Sequence, residues 1–284
     1  MQRRIFIKTA GIITATVLFP EILRAEHSKE RLPSLGIIIE NTGGDWIKNN
    51  PREALREIAR MGYKELEFGS DFGMSVPELK KFLKDLGLKP LIGPTSMQAM
   101  DDTEQLKKDI ENCHLWDKKY IVCYWPWTDD GKNKKLDDWK RAAEKLNKGG
   151  EICKKNGLRL LHHNHNIEFI ITEGKIPFDT LMTNLDKDYV NIELDLYWIT
   201  KGEQSPVEYI QKYPGRFPVF HVKDMDNTSE KGFACVGSGR IDFAEIFALH
   251  KTAGVKHYIV EHDHPENPKE CIESSARYLT GLRF

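Results

Sequence analysis

Short apolar runs and longer amphipathic stretches alternate along most of the chain. Eight runs of four to eight residues are rich in β-branched and aromatic side chains, as buried strands are. They cover residues 35–40, 65–68, 89–94, 120–125, 158–165, 190–195, 218–224 and 257–263. Strands that alternate with amphipathic stretches are typical of parallel sheets with crossover helices, and eight strands are the number that a closed barrel needs.

The stretches between these runs place apolar residues at helical spacing, with charged residues on the opposite face. Helices are predicted over 51–61, 76–86, 103–116, 136–156, 178–184, 206–213, 243–253 and 268–279. No internal repeat or low-complexity segment suggests a second domain. The pattern therefore predicts one α/β domain over residues 35–284, a (β/α)8 TIM barrel.

A polar segment over 129–136, DDGKNKKL, follows the fourth predicted strand. It lies on the side of the barrel where active sites form. Two interpretations remain open, a lid over the site and a solvated surface loop.

Residues 1–25 have the composition of an export signal rather than of a folded element. Arg3 and Arg4 precede an uncharged run over 9–19, which is too short to cross a bilayer. The twin arginine resembles the signal read by the twin-arginine translocase. We expect an exported, periplasmic protein that meets the membrane only through this signal, with an uncleaved anchor as the alternative. Residues 26–34 are predicted to be a linker.

Length and charge limit the number of domains and the classes of partner. The 259 residues after position 25 are close to the ~250 of one barrel. Removal of residues 1–25, with four basic residues and one acidic residue, changes the net charge from −1 to about −4. This balance gives no sign of a nucleic-acid partner. A homo-oligomer remains open.

The five cysteines are scattered, odd in number and without a CxxC pair, so neither a disulfide framework nor a zinc-finger spacing is predicted. We expect them to be buried apolar fillers. They are Cys113, Cys123, Cys153, Cys235 and Cys271.

Side chains that bind divalent metal ions end four strands in the second half of the chain. The strings are HHNH (162–165), ELD (193–195), HVKD (221–224) and EHD (261–263). Because the C-terminal ends of barrel strands converge on one cavity, these side chains are expected to be neighbours. Imidazole and carboxylate groups are common ligands of divalent metals, so the pattern predicts one metal site.

The sequence resembles the xylose isomerase-like barrels, a family that includes sugar-phosphate isomerases and epimerases. The resemblance covers essentially the whole chain after residue 25. It is carried by MGYKELEF (61–68), HHNHN (162–166), IELDLYW (192–198), FHVKDM (220–225), GSGRIDF (237–243) and YIVEHD (258–263). It implies one divalent ion, Mn, Mg, Zn or Co, held by Asp195, His221, Glu261 and a residue of the fifth strand. His163 stands there where the family has a glutamate, and His165 remains an alternative.

The histidine at this position changes the expected chemistry. In the epimerase relatives two glutamates are thought to move the substrate proton, whereas a metal-bound imidazole cannot act as a base through the same nitrogen. His165 and Glu168 are candidates for the missing base, and Glu261 is both a ligand and a candidate base. A single base fits isomerisation or β-elimination better than strict two-base epimerisation.

The predicted enzyme is therefore a metal-dependent sugar isomerase or epimerase, or a keto-glycoside lyase. It would abstract a proton next to a carbonyl, with the ion stabilising the enediolate. Lys223 either donates to the same oxygen or pairs with Asp224. Glu193 is a partner of the ligands or a buried charge, and His162 is expected to be structural.

Four further residues are candidates for binding a sugar or keto-sugar substrate, each with a structural alternative. Glu67 binds substrate hydroxyls or is solvated. Trp125 and Trp198 stack on sugar faces or pack at the rim. Arg240 binds a substrate oxygen or a phosphate, or pairs locally with Asp242. Export favours unphosphorylated saccharides.

Two other functions are weighed against this one. A metal-dependent phosphoesterase of the abasic-site endonuclease type needs additional histidines from strands two to four, and strands three and four end in GPTS (93–96) and WPW (125–127). A barrel that binds saccharide without turnover is the non-catalytic alternative.

Overall fold

The computed structural model describes residues 30–284. The export signal predicted for residues 1–25 and residues 26–29 of the predicted linker lie outside the described residues, so both remain predictions. Within the described part of the chain, no helix combines the length and apolar character needed to cross a membrane.

Eight parallel strands close into a barrel, which confirms the predicted fold class. Each barrel strand pairs with the next along the chain, and the last pairs with the first. The barrel strands are β1 (Gly36–Ile38), β2 (Glu65–Glu67), β3 (Lys89–Thr95), β4 (Tyr120–Cys123), β5 (Arg159–His163), β6 (Val190–Asp195), β7 (Val219–Val222) and β10 (His257–Val260). A short antiparallel hairpin, β8 (Asp224–Met225) and β9 (Phe233–Ala234), follows β7.

Helices surround the barrel and fill most of the connections. They are α1 (Ile39–Asn49), α2 (Pro51–Arg60), α3 (Val76–Leu86), α4 (Met97–Asp101), α5 (Thr103–Leu115), α6 (Leu136–Lys155), a 3-10 turn (Asn166–Phe169), α7 (Pro177–Asn184), α8 (Leu196–Lys201), α9 (Pro206–Lys212), α10 (Phe243–Phe247), α11 (His250–Ala253) and α12 (Pro268–Gly281). Seven of the eight predicted helices agree within two residues at each end. The predicted helix over 243–253 is two short helices, α10 and α11.

The sequence pattern missed three helices that follow barrel strands, α1, α4 and α8. The first predicted strand was placed over 35–40, but the chain enters α1 at Ile39. Gly44, with φ 48° and ψ −135°, interrupts the regular geometry of α1. A helix broken in this way leaves no continuous apolar stripe in the sequence. The other two have only five and six residues, too few for a periodicity to be recognised.

Cys235 and Cys271 form a disulfide, with Cα atoms 5.2 Å apart. The expectation that all five cysteines are unpaired fillers is therefore wrong for these two. The bond joins the residue after β9 to α12, across a sequence separation of 36. Their spacing carried no signal, because the pairing depends on how the hairpin folds against a distant helix. Cys113, Cys123 and Cys153 are buried free thiols, as predicted.

Side chains alternate along each strand, so every second residue of a barrel strand points into the barrel. Leu161, Val219 and Ile259 belong to a small apolar cluster that is separate from the larger core around the helices. His163, His221 and Glu261 stand two residues further along the same segments. Side chains two apart in a strand share a face. A polar layer therefore lies above an apolar one, at the C-terminal end of the barrel.

The two ends of the described chain are paired with each other. The Glu30 N–H donates to the Phe284 carbonyl at 3.2 Å, and the Phe284 N–H donates to the Glu30 carbonyl at 3.3 Å. The last helix, α12, also packs against α1 and α2. The first and last elements are thus joined side by side.

Candidate metal centre

The side chains of His163, Asp195, His221 and Glu261 meet at one point. One ligand atom from each lies within 4.8 Å of all the others. They come from the ends of β5 and β6, from β7, and from the position after β10. All four are buried, with at most 4% of the residue exposed. The fold brings the four candidate ligands into one enclosed cluster, named here the four-residue cluster.

One carboxylate oxygen of Asp195 has no hydrogen-bond partner within residues 30–284. Its Oδ1 accepts the Trp198 N–H at 2.6 Å, in the first turn of α8. Its Oδ2 is buried and accepts no hydrogen bond from the residues that the structure describes. A buried polar atom without a partner is unfavourable, and burial raises the pKa of Asp195 well above its usual range. Two imidazoles and two carboxylates are a donor set that suits Zn²⁺ and similar ions. These residues therefore fit a divalent cation.

The second ring nitrogen of each candidate histidine ligand faces a carboxylate. His163 Nδ1 lies 3.3 Å from Glu193 Oε2. His221 Nε2 lies 3.0 Å from Glu67 Oε2 and 3.2 Å from Glu193 Oε2. The Tyr124 hydroxyl donates to the other oxygen of Glu67. Carboxylates placed behind histidine ligands fix the tautomer and the ring orientation. Glu193 is thus a partner of the candidate ligands.

Charge is distributed unequally within the cluster. Burial lowers the pKa of His163 well below its usual value. Burial also acts to lower the pKa of His221, but the carboxylates of Glu193, Glu67 and Glu261 outweigh it and raise that pKa well above the usual value. Burial raises the pKa of Glu193 to about 8. Burial opposes ionisation of Glu261 too, yet Lys223 and His221 hold its pKa well below the usual range. His221 Nδ1, 2.8 Å from Glu261 Oε2, therefore forms an ion pair with that carboxylate.

Lys223 lies at the edge of the cluster. Its Nζ is 2.6 Å from Asp263 Oδ2 and 3.6 Å from Glu261 Oε2. The ammonium also lies over the rings of Trp198 and Phe233, at 4.9 and 4.7 Å. The predicted alternative, a pair with Asp224, is wrong. Asp224 is turned toward the backbone and accepts the N–H groups of Met225, Gly237, Gly239 and Ile241.

The two candidates for the missing base have different surroundings. The His165 ring centroid is 4.9 Å from that of His163, with the rings of Trp125 and Trp198 at 5.4 and 5.2 Å. Its Nδ1 is buried and has no hydrogen-bond partner in the described part of the chain.

Glu168 is turned to local partners instead. Its Oε2 accepts the His165 N–H at 3.0 Å, and its Oε1 is 3.2 Å from His162 Nε2. His162, expected to be structural, is fully buried. His165 is therefore the better placed of the two to meet a substrate.

Glu67 differs from both interpretations of the sequence. It is fully buried, so the solvated alternative is wrong. Its two oxygens face His221 and Tyr124 rather than an open cavity. Glu65, on the same face of β2, pairs with His257 at 3.0 Å.

Arg240 and Trp125 contact neighbouring loops. The guanidinium of Arg240 donates from Nε to the Asp226 carbonyl and from Nη2 to the Thr228 carbonyl, both at 2.6 Å. The predicted pair with Asp242 is wrong, since Asp242 caps α10 through the Glu245 N–H. Trp125 Nε1 donates to the Asp129 carbonyl at 2.8 Å and so attaches the 129–136 loop to the rim.

Three residues of this region were not found from the sequence. Asn41 Nδ2 donates to Glu261 Oε1 at 3.1 Å and to Asp263 Oδ1 at 3.4 Å. Tyr124 donates to Glu67, and Phe233 covers Lys223. Tyr124 had a signal, because it stands two residues after Val122 in a predicted strand. Asn41 and Phe233 had none, since they lie in α1 and in the hairpin, neither of which was predicted.

A family model and characterised proteins match this chain. The model of the xylose isomerase-like TIM barrel matches residues 55–282. Inosose dehydratase from Geobacillus kaustophilus (strain HTA426) is 25% identical over 231 residues, which cover 69% of this chain and 74% of the relative.

Two solved structures have a similar fold. A sugar phosphate isomerase/epimerase from Parabacteroides distasonis ATCC 8503 superimposes with a TM-score of 0.75 and 25% identity, over 90% of this chain and 95% of that one. The IolI protein with a bound zinc atom superimposes with a TM-score of 0.69 and 17% identity, over 87% and 96% of the two chains.

Proposed function

The chain belongs to the xylose isomerase-like TIM-barrel family, and on that premise we propose that it is a lyase acting on a keto-sugar or keto-polyol. It removes a proton next to the carbonyl and eliminates water or an alcohol from the neighbouring carbon. The relative named inosose dehydratase supports this class of reaction. A divalent cation held by the four-residue cluster would stabilise negative charge that develops on the carbonyl oxygen.

The observation that carries the proposal is the number of free bases beside the cluster. His163 turns Nδ1 to Glu193, which leaves its other nitrogen for the cluster. The His165 ring lies next to the His163 ring, and its buried Nδ1 has no hydrogen-bond partner among the described residues. Burial lowers the pKa of His165, so its imidazole is neutral near pH 7 and can accept a proton.

One base is sufficient for the proposed step. His165 takes the proton from the carbon next to the carbonyl, and the electron pair of that C–H bond forms a C=C bond. The C–O bond on the next carbon breaks, and the departing oxygen takes the proton back from the His165 imidazolium. The products are an unsaturated ketone and water, or an alcohol when the leaving group is an aglycone.

Lys223 has an electrostatic role in this proposal. Burial acts to lower its pKa, but the charges of Glu261 and Asp195 raise it above the usual value. Lys223 therefore stays an ammonium and donates a hydrogen bond to a substrate oxygen without giving up its proton.

Isomerisation is the second candidate reaction. The solved sugar phosphate isomerase/epimerase, with 25% identity, supports it. The same base would return the proton to the adjacent carbon, with no C–O bond broken.

One experiment separates these reactions. The protein is loaded in turn with Zn²⁺, Mn²⁺, Mg²⁺ and Co²⁺ and incubated in D2O with an inosose, a 3-keto-glucoside and ketohexoses, followed by NMR. Loss of water or of an aglycone supports the lyase. Deuterium uptake without bond cleavage supports the isomerase, and absence of both with every ion rejects both reactions. His165→Gln should abolish turnover but keep cation binding, whereas His114→Gln, at an exposed position on α5, should change neither.

We also propose that the protein is exported to the periplasm. The twin arginine of residues 3–4 carries this proposal, and the Cys235–Cys271 disulfide supports it, because such bonds persist in oxidising compartments. Fractionation of cells that express the full chain should find it in the periplasm. Replacement of Arg3 and Arg4 by lysine should retain it in the cytoplasm.

A further inference from the structure

A cavity of about 720 Å³ opens at the C-terminal ends of β1, β2 and β10. This is the end of the barrel on which the four-residue cluster lies. Three segments line the cavity: part of α1 from Glu40 to Lys48, the 70–73 turn after β2, and the 264–268 loop. Its volume is within the range of small-molecule sites, roughly 300–1,000 Å³.

One residue, Asn41, connects the lining of this cavity to the four-residue cluster. Glu40 and His264 line the cavity, and the His264 N–H donates to the Asn41 carbonyl at 3.4 Å. The Asn41 side chain donates to Glu261 Oε1 at 3.1 Å. Asn41 therefore contacts both a residue that lines the cavity and a candidate ligand.

The walls of the cavity combine aromatic rings with strained backbone. Trp46 and Phe72 line it and are half-buried. Phe72 and His264 have φ angles of 53° and 54°, in a backbone region that residues other than glycine rarely adopt. Such a backbone is energetically unfavourable and is found preferentially at ligand sites.

The lining of the cavity is acidic. Glu40, Asp45, Asp71 and Glu266 line it together with one lysine, Lys48. Glu40 Oε1 accepts the N–H groups of Gly69 and Ser70, and Asp71 Oδ1 accepts the Gly73 N–H. Within residues 30–284 none of these four carboxylates forms a salt bridge. The uncompensated negative charge disfavours a phosphate or carboxylate group here, whereas carboxylates readily accept hydrogen bonds from sugar hydroxyls.

We propose that this cavity binds the second ring of an uncharged glycoside whose keto ring reacts at the four-residue cluster. The proposal rests on the lyase function and names its substrate class as glycosides rather than free or phosphorylated monosaccharides. Trp46 and Phe72 stack against the faces of the second ring, and the carboxylates bind its hydroxyls. The Asn41 position is the boundary between the two rings.

The kinetic test compares a 3-keto-disaccharide with methyl 3-keto-glucoside, which has the same reacting ring. Trp46→Ala and Phe72→Ala should lower kcat/KM about tenfold or more for the disaccharide and less than about twofold for the methyl glycoside. Phe82→Ala, a half-buried aromatic of α3 that lies under Arg52 and does not line the cavity, is the matched control and should leave both values unchanged. Equal losses on both substrates, or no loss on either, would overturn the proposal.

A binding test remains informative if the chemistry is different. Titration calorimetry with an unreactive disaccharide should detect binding to the wild type and at least tenfold weaker binding to Trp46→Ala. A disaccharide with a phosphate on the ring that occupies the cavity should bind more weakly than the neutral one. Absence of turnover with disaccharide binding retained would reject the lyase alone, whereas absence of disaccharide binding, or preference for the phosphorylated form, would reject the glycoside subsite.

Discussion

At the scale of the single residue, Asp195 combines two roles in one carboxylate. One oxygen caps α8 through the Trp198 N–H, and the other has no hydrogen-bond partner among residues 30–284. The substitution Asp195→Asn keeps an oxygen for the cap but removes the negative charge. We expect cation affinity to fall by more than about 100-fold, with the metal-free melting temperature little changed. Zn²⁺ titration of Asp195→Asn, with exposed Asp137→Asn as the control, measures this; unchanged affinity would remove Asp195 from the ligand set.

Glu67 tests whether a residue that orients a candidate ligand affects cation binding. It orients His221 by accepting from Nε2 at 3.0 Å. Because Glu67→Gln weakens that interaction without removing a ligand, cation affinity should fall by about 10–100-fold. Glu65→Gln, on the same face of β2 but paired with His257, is the matched control and should leave affinity unchanged. If both variants lost affinity equally, the effect would come from general disturbance of β2.

Lys118 predicts a dependence of stability on pH. Burial lowers its pKa to about 8, although its Nζ donates to the Phe68 carbonyl at 2.5 Å. The unfolded chain, in which the pKa is near 10.5, binds more protons than the folded one between these values. The free energy of unfolding should therefore gain about 2 kcal/mol from this group as the pH rises from 8 to 10.

Urea denaturation of Lys118→Met at several pH values measures this contribution. As the pH rises from 8 to 10, the free energy of unfolding of the wild type should increase relative to that of Lys118→Met. Lys119→Met, at the adjacent exposed position, should follow the wild type at every pH. A constant difference between Lys118→Met and the wild type would show that Lys118 does not titrate there.

Residues were predictable from the sequence when strand alternation alone set their direction. His163, Asp195, His221 and Glu261 follow apolar runs with the correct parity, so their convergence needed only the barrel topology. Arg240 was not predictable, because its partners are backbone carbonyls of a hairpin without a sequence signal. The periodicity of a sequence records which face is buried but not which backbone atoms a long side chain will meet.

At the scale of the element, the hairpin of β8 and β9 is held from several sides. The Lys231 carbonyl, in its turn, accepts from the Tyr197 hydroxyl at 2.7 Å and from Lys201 Nζ at 2.9 Å. The disulfide fixes its exit to α12. These attachments keep Phe233 over Lys223.

Removal of the disulfide should weaken the fold measurably. The double variant Cys235→Ser/Cys271→Ser opens a loop of 36 residues, and we expect the free energy of unfolding to fall by about 2–4 kcal/mol. Urea denaturation without reductant checks this. Wild-type protein treated with reductant should match the double variant, and equal stability of all three samples would contradict a stabilising role.

Elements were predictable where a long amphipathic stripe existed, as in α3 and α6. The broken helix α1 and the short helix α8, which directly follow strands, were not predictable, because their positions depend on the barrel that they cover. The hairpin has two residues in each strand, which is too few for alternation to be recognised.

At the scale of the whole molecule, eight strands predicted from local patterns were enough to predict closure. A parallel sheet must have both faces covered, and eight strands with intervening helices achieve this as a barrel. The cavity beside the cluster was not predictable, because it is formed by three segments that are distant in sequence.

The backbone hydrogen bonds between Glu30 and Phe284 hold the two ends of the described chain next to each other. A permuted version of residues 30–284 could join these ends through a few glycines and begin instead at Gly131, within the polar 129–136 loop. We expect its melting temperature and its cation affinity to remain close to those of the original order, because every barrel pairing is retained. Loss of cooperative melting would show that the original order is required for folding. Otherwise, the new ends at Gly131 would lie beside Trp125, so a genetic fusion could be attached at the mouth of the barrel.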